Sequence, residues 1–174
     1  MSDNKNSILS SAMNFALPLG LFWVFRYFFV IGSDHYDVFK YIYNILAIGT
    51  PIIYYVLITR YRDTDLGGKI SFGECILFSL LLFIFASIIE AVIVCLHLLV
   101  INPALVSSQN KVILDMISKM KMPDIAYNDL KAFLSTYGAL YYALCTAIAN
   151  VLIGFFLSLI LGYFVSRNNR ANPT

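Results

Sequence analysis

Two strongly charged side chains, Arg26 and Glu90, fall inside otherwise apolar runs, and His97 and Asn150 are the other polar groups placed to answer them. A carboxyl group at mid-bilayer costs from about 2.5 kcal/mol upward unless it is neutral, paired or facing water. Something must therefore compensate Glu90, and three chemistries are open. Glu90 can pair with Arg26, whose long side chain reaches along its helix if the two helices touch. Alternatively Arg26 snorkels outward, Glu90 is protonated, and both only lock helix packing. In the third, Glu90 and His97, seven residues apart and so on one helix face, form a proton or ion pathway.

Other reactive constellations are missing from the sequence. A metal site from Glu90, Cys95 and His97 would want its ligands on one face, and Cys95 is displaced from that stripe. His35, between Asp34 and Asp37, reads as a solvated turn residue. There is no nucleophile beside a base, no paired-carboxylate site and no phosphate-cradling glycine loop. The expectation is a protein that is not an enzyme and takes no cofactor.

The elements that position these residues belong in a bilayer. The 174 residues are 60% hydrophobic, 16% aromatic and 13% charged, with a mean hydropathy of +0.77. Soluble domains carry about 25% charged residues. A net charge of +2 and aromatics held within apolar runs give no case for nucleic acid. The fold class expected is an all-α integral membrane protein, one membrane domain over 1–174. Its four transmembrane helices lie near 8–31, 38–59, 71–100 and 137–165, each long enough to cross roughly 30 Å of hydrocarbon. Pro18 with Gly20 predicts a kink in the first span, and Pro51 with Gly49 one in the second. Cys75, Cys95 and Cys145 read as small packing residues. The extramembrane segment 102–136 is expected to carry two short amphipathic helices, one over Ser108 to Met120 and one beginning at Pro123–Asp124. They would cap the bundle, lie on the bilayer surface or dock a partner. The tail SRNNRANPT is polar and expected to be disordered.

Between the second and third spans lies RYRDTDLGGKISFGE, Arg60 to Glu74. Gly67 and Gly68 suit the left-handed residues that end a helix, and Ser71 with Glu74 spells a capping box. Arg60, Arg62 and Lys69 here, Arg167 and Arg170 in the tail and Lys5 at the start place both termini and this turn in the cytoplasm. Four lysines of the 102–136 segment, Lys111, Lys119, Lys121 and Lys131, oppose them.

The pattern Tyr61-Arg62-Asp63, Leu66-Gly67-Gly68 and Ile70-Ser71-Phe72-Gly73-Glu74 resembles the domain-of-unknown-function family numbered 4199, four-helix membrane proteins of Bacteroidetes-type bacteria. Helix order and the segment Lys119-Met120-Lys121-Met122-Pro123 are similar as well. The resemblance implies a bacterial inner membrane location, and a membrane glycosyltransferase encoded nearby as a partner. The family has no assigned reaction, ligand or catalytic residue to carry over. Membrane lipid and a homo-oligomer are the other partners considered. Two function classes remain: a non-catalytic subunit or scaffold of a membrane assembly, and a small transporter or channel using Glu90 and His97.

Overall fold

Runs this apolar gain little from loops, so their backbone polar groups pair within helices. The computed structural model describes residues 2–120 and 123–169, with side chains from residue 7 onward. The helices are α1 (Ser2–Gly32), α2 (Val38–Leu46), α3 (Gly49–Thr64), α4 (Phe72–Leu96), α5 (Pro103–Ser118) and α6 (Asp124–Arg167), with a π-turn over His97–Ile101. There is no strand among the described residues. Four stretches are long and apolar enough to cross a membrane: Ser7–Gly32, Val38–Thr64, Phe72–Ile101 and Asp124–Arg167. Lys121, Met122, Arg170 and the side chain of Lys5 lie outside the described residues, as does the tail beyond residue 169.

Three boundaries differ from the sequence reading. The second stretch is two helices, not one kinked helix. Pro51 has no N–H to offer the Ala47 carbonyl four residues back. The Thr50 N–H takes that carbonyl instead at 3.1 Å, and Ile48 bonds Ile45 in the same tight i to i+3 manner. The first surface helix starts at Pro103, not Ser108, because Pro fits the first helical position. The second surface helix is no separate element. From Asp124 to Arg167 there is no proline, and α6 runs on for 44 residues. α1 passes Pro18 without interruption.

The chain packs as two compact units, Met1–Glu90 with Ala147–Thr174, and Ala91–Thr146. In the first, α1 turns Ile8, Ala12, Ala16, Leu19 and Trp23 inward while Met13, Leu17, Leu21, Phe25 and Phe28 stay more than half exposed. The inward stripe meets Tyr54, Ile58 and Tyr61 of α3 and Phe78, Leu82 and Phe83 of α4. Tyr61 stacks on Phe78 with centroids 4.0 Å apart, and Trp23 and Tyr54 each meet Phe83 edge-on. Small residues permit close approach, as is usual between membrane helices. A Cβ on Gly154 of α6 would lie 2.3 Å from the Phe83 ring of α4.

In the second unit the Asn110 side chain of α5 joins two points of α6. Its Nδ2 donates to the Leu134 carbonyl at 3.0 Å, and its Oδ1 accepts from the Tyr142 hydroxyl at 2.9 Å. The Asn102 N–H closes on the His97 carbonyl at 2.8 Å, the i to i+5 bond that makes the π-turn. α5 itself buries no residue.

Gly154→Ala is expected to lower thermal stability in lipid nanodiscs by about 1–3 kcal/mol, the range for overpacking a filled interior. Adding Phe83→Leu should restore most of the loss. Gly73→Ala, with nothing within 4 Å of the new Cβ, is the unaffected control.

Candidate functional site

Helical spacing brings three polar residues onto the buried stripes. Glu90 continues the line Ser79, Phe83, Ser87 along α4, Arg26 follows Trp23 by three on α1, and Asn150 precedes Gly154 by four on α6. All belong to the first unit. Glu90 is 1% exposed, Arg26 and Asn150 7% each. Asn150 Nδ2 donates to Glu90 Oε2 at 2.5 Å, and Arg26 Nη2 lies 3.8 Å from Glu90 Oε1. The Arg26 guanidinium also sits 4.7 Å from the centroid of the Tyr43 ring, a cation–π contact with α2. Each carboxylate oxygen thus faces a donor on a different helix. Chemically the cluster is suited to joining α1, α4 and α6.

Beside it is a cavity of about 140 Å³ lined by Trp23, Arg26, Thr50, Pro51 and Asn150 among others. Trp23 Nε1 donates to Thr50 Oγ1 at 3.1 Å, tying α1 to α3 at its wall. Glu90 does not border this cavity. A second cavity, about 280 Å³, lies within the second unit among Leu98, Pro103, Ser107, Asn110, Ser135 and Thr136. His97 belongs to that second unit, where it is fully buried and opens the π-turn. His35 is exposed in the turn after α1. At the end of that turn Asp37 meets the Lys40 ammonium of α2 at 2.7 Å, which holds the Asp37 carboxyl below its ordinary range. Among the described residues no three His, Cys, Asp or Glu side chains converge as a metal site would need.

The last turn of α3 holds a residue whose role sequence reasoning missed. Arg62 is buried, not a free surface cation. Its Nη1 donates to the carbonyls of Asn168, at 2.9 Å, and Val165, at 3.3 Å, and its Nε bonds Asp63 at 2.8 Å. A cation on the last carbonyls of a helix satisfies orphan acceptors and opposes the negative end of its dipole. The Ile70 N–H donates to Asn169 Oδ1 at 2.9 Å, so the start of the polar tail is held too. Ser11 of α1 donates to Asp65 at 2.5 Å. Gly67 and Gly68 take φ of 62° and 89°, the left-handed region. The capping box forms: the Ser71 N–H donates to Glu74 Oε2 at 2.9 Å and the Glu74 N–H to Ser71 Oγ at 3.2 Å. Of the signature residues, Tyr61 is in the core against Phe78, Leu66 packs on that core, and Phe72 meets Tyr163 edge-on. Gly73, the second residue of α4, faces open space.

Compared with known proteins, residues 14–167 match the family described as "Protein of unknown function (DUF4199)". No curated protein and no solved structure matches the chain.

Removing one member of a buried ion pair strands the other, at about 3–5 kcal/mol. Arg26→Met and Glu90→Leu alone are each expected to lower the unfolding free energy in mixed micelles by an amount in that range. The double replacement should recover most of the stability, giving a coupling energy of opposite sign to the single losses. Additive losses would show that the two side chains act independently.

Proposed function

The chain belongs to the family of proteins of unknown function DUF4199, and from that premise we propose that it is a four-pass protein of the bacterial inner membrane, acting as a non-catalytic subunit or scaffold of a larger membrane assembly. Insertion is supported by the outward surface. α1 exposes Met13, Leu17, Leu21 and Phe25, α3 exposes Ile52 and Val56, α4 exposes Ile88, and α6 exposes Ile148, Leu152, Phe156 and Ile160, each more than half accessible. Such a belt is tolerable where acyl chains solvate it and costly in water.

Orientation follows from charge. Within the first unit, Ser11 near the start of α1 and Val165 to Asn169 at the end of α6 all meet the Arg62–Ile70 turn. The start of α1 and the end of α6 therefore lie on the turn's side, and exposed Arg60, Lys69 and Arg167 are at that end. The positive-inside rule makes it cytoplasmic. Arg62, spent on capping, contributes less to the rule than a free cation.

The observation that carries the subunit reading is the enclosure of Glu90. Its two oxygens are turned to Asn150 and Arg26, and the neighbouring cavity does not reach it. A transport pathway through Glu90 would want the carboxyl open to water. What remains for interaction is the apolar belt of α1, α3, α4 and α6, suited to a membrane-embedded partner. The family resemblance makes a membrane glycosyltransferase one candidate, and a second copy of this chain is another.

Extraction of the tagged protein from its native membrane into lipid nanodiscs is expected to bring a stoichiometric membrane partner with it. Recovery only as a lone monomer contradicts the subunit reading. A Lys69→Cys variant should resist an impermeant thiol reagent in intact spheroplasts and react in inverted vesicles. The reverse pattern overturns the orientation.

A further inference from the structure

We infer that the cavity between α5 and α6 in the second unit holds the glycerol-ester region of a membrane lipid. The space measures about 280 Å³, where one water needs roughly 10–15 Å³. It stands where the apolar runs end. Leu98 and Leu99, on its wall, lie in the last turn of the stretch Phe72–Ile101. Up to this level α6 is polar, with Asp124, Asn128, Asp129 and Lys131, and beyond it α6 is apolar. Tyr137 packs on Phe133 at the switch, and Tyr141 meets the same ring edge-on. Aromatic side chains gather in this way at the level of lipid headgroups and esters.

The wall has two kinds of surface. Leu98, Leu99, Pro103, Val106 and Ala139 make the apolar half. The other half offers hydroxyls. Ser108 and Ser135 spend theirs on the backbone carbonyls of Leu105 and Ala132, as serines in helices commonly do. Ser107 and Thr136, which both line the cavity, make no such bond and leave two O–H donors facing it. Asn110 gives one Nδ2 hydrogen to the Leu134 carbonyl and takes the Tyr142 hydroxyl on Oδ1. Among the described residues lining the space none is ionisable, so a charged guest would find no counter-charge. Water alone would leave the apolar half wet, and a free sugar would bring more hydroxyls than the wall can answer. A glyceryl diester has two carbonyl acceptors and carries methylenes beside them. Its acyl chains would leave over Leu99, Val100, Tyr137 and Leu140, each more than half exposed.

The full chain in a mild nonionic detergent is titrated with a diester phosphatidylcholine and followed by native mass spectrometry. One lipid per chain is expected to bind saturably, and a phosphatidylglycerol with the same acyl chains should bind equally. The diether phosphatidylcholine, which lacks both carbonyls, should bind about 30-fold more weakly, the worth of two neutral hydrogen bonds. Ser107→Ala with Thr136→Val should bring the diester down to the diether's affinity and leave the diether unchanged. Ser107→Phe, which fills the space from an exposed position, should abolish the one-to-one complex with both lipids. Absence of a saturable complex, equal binding of diester and diether, a strong preference for phosphatidylglycerol, or a hydroxyl-free variant that still favours the diester overturns the site. The inference rests on the reading that the chain crosses a membrane, which alkaline carbonate extraction tests by itself. Protein stripped from the membrane by carbonate overturns that reading and the site together, whereas retained protein without a saturable complex overturns the site alone.

Discussion

A carboxyl group that cannot reach water has to be answered by the protein around it, and Glu90 is that group here. In a hydrocarbon setting no solvent stands by to repair a missing bond, so the answer must come from neighbouring helices. Asn150 gives it from α6 and Arg26 from α1, while Arg26 is steadied in turn by the Tyr43 ring of α2. Dispersion between apolar side chains is nearly as good with lipid as with protein and selects one arrangement only weakly. A polar cluster of this kind selects strongly, because a rotation or slip of any one helix strands a charge. The close passage of Gly154 over Phe83 then becomes possible, since the helices are already held at one height.

At the other end of the first unit the same need is met differently. Backbone carbonyls at the end of α6 have no partner in their own helix, and Arg62 supplies one from the last turn of α3. The two left-handed glycines and the Ser71–Glu74 box set the path of that turn, while Asn169 and Ser11 fasten it to the chain's two ends. The Arg60–Glu74 stretch is in this way a joint between helices. Its buried arginine closes that joint on the end of α6.

Much of this was legible in the residues. Apolar runs of 20 to 30 residues declare membrane-length helices, and Arg26, Glu90 and Asn150 stand out within them by polarity alone. The capping box and the glycine stop are local chemistry, readable from four or five residues. What escaped was non-local or cooperative. Nothing near Arg62 says that its target is a carbonyl one hundred residues away, and nothing near Trp23 names Thr50. The Ser135–Thr136–Tyr137 stretch looks like a boundary between a surface helix and a span, yet without proline the helix has no reason to stop. His97 shares spacing with Glu90, but the π-turn that opens at His97 depends on Asn102 closing back on it, a bond that seven-residue spacing does not reveal.

Packing shuts Glu90 away from water. Ser87, one turn before it on the same face of α4, is 2% exposed and bonds the Phe83 carbonyl at 2.6 Å. Cysteine is nearly isosteric with serine, so Ser87→Cys in a background lacking Cys75, Cys95 and Cys145 places a thiol probe beside the carboxyl with little disturbance. In native membrane vesicles a water-soluble methanethiosulfonate reagent should leave this thiol unmodified until the protein is unfolded. Rapid modification in the folded protein would show an aqueous route to Glu90 and contradict the account.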